Sequence, residues 1–151
     1  MSRVQLALNV KDLDEAIGFY SKLFGAEPAK RKPGYANFAI ADPPLKLVLI
    51  EGVGDPGSLN HLGVEVESTE QVRAAQVRLA GEGLATATED EVACCYALQD
   101  KVWVDGPDGQ PWEIYTVLDD VEMPNGELRA DAPDADALCC DSAPESAARC
   151  C

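Results

Sequence analysis

Two seven-residue stretches of this chain alternate apolar and other positions in the same order. In the first, Val4, Leu6, Leu8 and Val10 frame Gln5, Ala7 and Asn9; in the second, Leu62, Val64 and Val66 alternate with His61, Gly63 and Glu65. A period of two puts one set on each face of a strand. The pattern after each stretch changes to helical spacing. Asp12 is placed to cap a helix over Leu13 to Phe24, which Gly25 stops, and Ser68 or Thr69 is placed to cap a helix carrying Val72, Ala75, Val77 and Leu79 that ends between Gly81 and Gly83. Three strands are then predicted in each half: Ala29 to Lys32, Tyr35 to Ala41 and Leu45 to Glu51, then Ala85 to Cys94, Lys101 to Asp105 and Trp112 to Val117. Asp42-Pro43-Pro44 and Gly106-Pro107-Asp108-Gly109 mark hairpin turns, and the run from Gly52 to Gly57 reads as a linker.

A strand, a helix and three strands, given twice, resembles the βαβββ module of the vicinal oxygen chelate superfamily, the glyoxalase and extradiol dioxygenase fold. The resemblance covers nearly all of residues 1–118. It implies an α+β domain with modules 1–52 and 58–118, whose paired sheets form a cup around a divalent metal ligated from the first and last strands of each module. Strand parity then selects residues: Gln5 and His61 become equivalent positions on the concave face. Aligning Leu45 to Leu49 with Pro111 to Tyr115 makes Glu113 the carboxylate ligand and Leu47 its non-ligating counterpart. An amide oxygen, an imidazole and a carboxylate leave coordination positions open, as non-haem Fe(II) oxygenases require. Glyoxalase I resembles the pattern with four protein ligands, so the departure favours oxygen chemistry.

The six cysteines add a second chemistry. They fall in three adjacent pairs, Cys94-Cys95, Cys139-Cys140 and Cys150-Cys151. Adjacent Cα atoms are about 3.8 Å apart, below the usual disulfide range of about 4.4 to 6.8 Å. A bridge within a pair is strained, whereas two neighbouring thiolates close readily on one soft atom such as trivalent arsenic or cadmium. The two tail pairs are equally well read as incidental.

Composition bounds the rest. Twelve basic and 27 acidic residues give a formal charge of −15, which disfavours nucleic acid and anionic membrane surfaces. No stretch approaches the roughly 20 apolar residues of a membrane span, and unpaired cysteines suit a reducing compartment, so a soluble, cytoplasmic protein is expected. From Asp119 onward nine acidic residues face only Arg129 and Arg149, with few large apolar side chains. Residues 119–151 are therefore expected to form a disordered acidic tail.

Finer detail comes from a narrower resemblance. The run from Ala26 to Leu49, the run from Leu59 to Val66, and Cys94-Cys95 followed by Gln99-Asp100-Lys101-Val102-Trp103-Val104 are similar to the ArsI-type carbon-arsenic lyases and the cadmium-induced CadI-like proteins. That resemblance implies an Fe(II)-dependent dioxygenase, with dioxygen as co-substrate, that splits the carbon-arsenic bond of methylarsenite and trivalent aromatic arsenicals, releases arsenite and confers organoarsenical resistance. It also implies that Cys94 and Cys95 bind the arsenic. Two thiolates occupy the two exchangeable positions of a mono-organic trivalent arsenical and fix the direction of its bond to carbon. Cys94, Cys95, Tyr96, Lys101 and Trp103 make up the expected substrate-binding set, with Gln5, His61 and Glu113 as metal ligands. The stretch 94–100 reads as a loop able to swing the loaded arsenic, with Lys101 favouring the thiolates. Tyr35, Phe38, Trp103 and Tyr115 are candidates for aromatic walls, with ordinary core packing as the alternative. A homodimer is compatible with all of this. The competing readings are a cadmium- or arsenite-binding stress protein without catalysis, and a different oxygenase or isomerase such as an extradiol enzyme.

Overall fold

The computed structural model describes residues 1–121 apart from Cys95. Cys139-Cys140 and Cys150-Cys151 therefore lie outside the described residues. The chain divides into two compact units, one of residues 3–63 and one containing residues 1–2 and everything from Val64 onward. The division falls inside a strand, six residues beyond the Gly-rich run read as a linker.

The first unit holds β1 (Arg3–Val10), α1 (Leu13–Phe24), β2 (Lys30–Lys32), β3 (Tyr35–Ile40), β4 (Leu45–Glu51) and most of β5 (Leu59–Glu65), with strand order β2-β3-β4-β1-β5. Helix α1 forms as its sequence signals dictate. The Asp12 side chain accepts from Glu15 N at 2.8 Å, and Gly25 ends the helix at φ 60°, a left-handed conformation that suits a residue without a Cβ. Its buried face, Leu13 and Ile17, meets Ala36, Phe38, Ile40, Leu47 and Leu49 in one apolar cluster, against which Leu6, Leu8 and Val10 also pack. β1 and β4 run parallel with Leu6 opposite Leu47 and Gln5 opposite Lys46. One face of this sheet thus carries the leucines and α1, while the other carries Gln5, Ala7, Asn9, Lys46 and Val48.

This register corrects two expectations. Leu47 sits in the α1 core, so it does not share a face with Gln5; Lys46 and Val48 do. The alignment of the two last strands slipped by one residue, because apart from Lys46 the run Leu45 to Ile50 is apolar and carries little alternation to mark its faces. Phe38 likewise belongs to that core and lines no wall on the Gln5 face.

The second unit holds α2 (Thr69–Gly81), β6 (Ala87–Cys94), β7 (Ala97–Asp105) and β8 (Pro111–Asp120), with strand order β6-β7-β8. Ser68 caps α2, which buries Val72 and Leu79 and contacts β7 and β8. Antiparallel registers pair Lys101 with Tyr115 and Trp103 with Glu113, so these four share one face. Two boundaries differ from expectation. Residues 97–100 are strand and not part of the predicted swinging loop, and Tyr96 before them adopts φ 61°. β8 continues to Asp120, with Asp119 and Asp120 paired to Leu98 and Ala97, so the start of the predicted tail is sheet. Backbone pairing overrides the acidic composition there. No helix among the described residues is long and apolar enough to cross a membrane.

Candidate functional site

In the first unit, neighbouring β1 and β5 bring Gln5 and His61 together. Both are buried, at 4 % and 2 % exposure, and Gln5 Nε2 lies 3.0 Å from His61 Nε2. A polar pair is tolerated at such depth only when its groups are bonded, and here the bonding continues behind the ring. His61 Nδ1 is 2.7 Å from Asn60 Oδ1, Asn60 Nδ2 donates to Asn9 Oδ1 at 3.0 Å, and Asn9 Nδ2 donates to Ser58 Oγ at 2.9 Å. The backbone supports the same residues: Asn9 N donates to Ser58 O and Gly57 N donates to Asn9 O. The supposed linker is thus strapped onto β1. Strand parity puts Asn9 on the face of Gln5, but nothing in the sequence marks the series of bonds it makes with Asn60 and Ser58.

In the second unit, Lys101 Nζ donates to Glu113 Oε2 at 2.9 Å, and both side chains are almost fully buried. The ammonium also stands 5.3 Å from the Trp103 ring centroid, within cation-π range. Tyr115 is completely buried and donates from its hydroxyl to Glu65 Oε2 at 3.2 Å. Lys101 is therefore engaged by Glu113 and Trp103. Cys94 closes β6 at 5 % exposure, and its sulfur is in a disulfide. Gln99 Nε2 donates to Cys94 O at 3.4 Å, while Gln99 Oε1 is buried without a partner.

A structural role is clear for Asp100, which the sequence reading passed over. Its carboxylate accepts from Thr69 Oγ1 at 2.5 Å and from Glu91 N at 2.7 Å. Glu91 has φ 50° where β6 shifts register against β7, so Asp100 ties the start of α2 to a bulge in β6.

Among the described residues no three of His, Cys, Asp and Glu gather as a metal cluster. Any cation held by the Gln5-His61 pair must therefore use the glutamine amide. The pair suits that use, because an imidazole nitrogen and an amide that can present its oxygen converge in a buried setting.

Comparison with known proteins places this geometry in context. Residues 3–114 match the profile of the Glyoxalase/Bleomycin resistance protein/Dioxygenase superfamily. A trivalent organoarsenical cleaving enzyme of Thermomonospora curvata is 66% identical over 123 residues, covering 81% of this chain and 82% of the relative. The cadmium-induced protein CadI of Mycobacterium bovis is 63% identical over 143 residues, covering 93% and 94%. Among solved structures, the Mn(II)-bound glyoxalase from Novosphingobium aromaticivorans superposes with a TM-score of 0.57 at 21% identity, covering 86% of this chain and 44% of that one.

Proposed function

We propose that this chain, which belongs to the Glyoxalase/Bleomycin resistance protein/Dioxygenase superfamily, is an Fe(II)-dependent dioxygenase that cleaves the carbon-arsenic bond of trivalent organoarsenicals and releases arsenite. The observation that carries this reading is the buried Gln5-His61 pair, whose side-chain nitrogens face each other at 3.0 Å in a chain 66% identical to an organoarsenical cleaving enzyme.

In this reading Gln5, His61 and Glu113 hold the iron, which when bound supplies the binding and activation of dioxygen. His61 gives its imidazole nitrogen. Gln5, whose amide presents Nε2 to the ring here, turns to present its oxygen. Glu113 brings the one negative charge of the set, and Lys101 shares that carboxylate. Trp103 and Tyr115, on the Glu113 face, exclude water from it.

Cys94 and Cys95 take the substrate. Their two S–H groups replace the two hydroxyls of methylarsenite, forming two sulfur-arsenic bonds and releasing two waters, and the methyl group stays on arsenic. The remaining bond, to carbon, then has a fixed direction.

The test is to reduce the protein with a phosphine, load Fe(II) anaerobically, add methylarsenite, admit air and assay arsenite. Arsenite that appears only with both iron and oxygen supports the reading; none from iron-loaded, reduced protein overturns it. The second reading, a cytoplasmic cadmium- or arsenite-binding protein without turnover, is favoured by one observation. The match to the cadmium-induced protein spans 143 residues and so must reach beyond residue 121 towards the tail cysteine pairs. Tight cadmium binding without arsenite release would establish it instead.

A further inference from the structure

We propose that Asn60 is a positioning residue, and that a one-directional hydrogen-bond chain anchored at the Asp55 carbonyl fixes His61 as the tautomer with its proton on Nδ1. The purpose of that arrangement, a lone pair on Nε2 ready for a cation, rests on the metal reading above. The tautomer itself does not.

The direction follows from the one group in the chain that can only accept. The Ser58 hydroxyl lies 2.5 Å from Asp55 O, and a carbonyl oxygen has no proton to give, so Ser58 donates there. Its lone pairs are then left to receive Asn9 Nδ2 at 2.9 Å. That orients the Asn9 amide with Oδ1 towards Asn60, which donates from Nδ2 at 3.0 Å. The Asn60 amide is oriented in turn, and its Oδ1 meets His61 Nδ1 at 2.7 Å. Only an Nδ1–H satisfies that contact, because reversing either amide sets oxygen against oxygen or NH2 against NH2. In the neutral ring Nε2 then has a lone pair, and it receives Gln5 Nε2 at 3.0 Å. Four bonds thus point one way, from the ring to the Asp55 carbonyl.

The local backbone is built around this chain. A Cβ on Gly54, which has φ 63°, would stand 2.5 Å from Asn9 Nδ2, so a side chain there collides with the middle of the relay. Asn9 N and O both bond the same segment, to Ser58 O and from Gly57 N. The run from Gly52 to Ser58 therefore acts as the brace of His61. Metal-ligating histidines depend on such a partner on the far nitrogen, and its loss typically costs about 10- to 100-fold in metal affinity.

His61 is the only histidine of the chain, so nitrogen NMR of uniformly labelled protein reads its ring without ambiguity. The metal-free wild type with a neutral ring is expected to carry the proton on Nδ1. N60L should shift the ring towards the Nε2–H form and weaken Co(II) binding by about 10- to 100-fold, whereas N60D, which keeps the acceptor, should hold the Nδ1–H form and bind within a few-fold of wild type. S58A, a change in a partly exposed loop, should shift the tautomer in part and weaken Co(II) binding severalfold; it decides the matter if N60L does not fold. An Nε2–H ring in the wild type overturns the inference, as does an unchanged ring in S58A or wild-type Co(II) binding by N60L. An Nδ1–H ring in iron-loaded protein that releases no arsenite overturns the dioxygenase reading and leaves this one standing.

Discussion

Two buried contacts set the character of individual residues here, one for each ligand candidate that carries a strong donor. His61 is held from both ring nitrogens. His61→Ala should abolish Fe(II) binding and arsenite release, since a neutral amide and one carboxylate hold a divalent ion poorly. Trivalent arsenic should still load onto the reduced thiols, and measuring metal content and arsenic content on the same sample checks both halves. Glu113 is held by Lys101, with side-chain exposures of 3 % and 1 %. Breaking such a pair leaves an uncompensated buried charge and costs roughly 3–5 kcal/mol. Lys101→Met should therefore lower the stability of the metal-free protein by about that amount, read as a fall in the urea midpoint. Adding Co(II) should raise the melting temperature of this variant more than that of the wild type, because the cation meets the exposed need of Glu113. Equal shifts in both proteins would separate Glu113 from the metal site. Parity of an alternating strand was enough to select Gln5 and His61, but no local signal announced that Lys101 would be spent on Glu113, twelve residues away across a hairpin.

At the scale of elements, the helices and their caps were legible because capping chemistry is local: Asp12, Gly25 and Ser68 act within one turn of their own positions. Strand edges were less legible. The stretch 97–100 looks polar enough for a loop, yet Gln99 and Asp100 are buried in β7 with side chains bonded. Asp100 in particular serves three elements, accepting from Thr69 at the start of α2 and from Glu91 in the bulge of β6. Asp100→Ala should strand both donors and cost roughly 3 kcal/mol, read by denaturant unfolding with an unchanged slope. Asp100→Asn should recover part of the loss, and full stability in the alanine variant would show that the bulge holds itself.

For the whole molecule, the consequential fact is that β8 runs as far as Asp120. Asp119 and Asp120 pair with Leu98 and Ala97, and Val121 N donates to Tyr96 O at 3.1 Å, so the end of β8 braces the turn at Tyr96. A chain ended after Met123 should keep its fold, iron content and turnover, while binding fewer soft-metal ions as Cys139-Cys140 and Cys150-Cys151 are lost. A chain ended after Leu118 should lose turnover at unchanged iron content; full activity in that shorter chain would free the turn from β8. Sequence alone determined the repeated strand-helix-strand units, the helix limits and the equivalence of Gln5 and His61, because periodicity and caps act within a few residues and the same local pattern is written twice. Only the tertiary structure decided that Leu47 belongs to the helix core, that Lys101 answers Glu113, and that a glycine-rich run braces His61. Those outcomes depend on strand register and on which buried polar groups find partners, and both are settled by contacts between residues far apart in the chain.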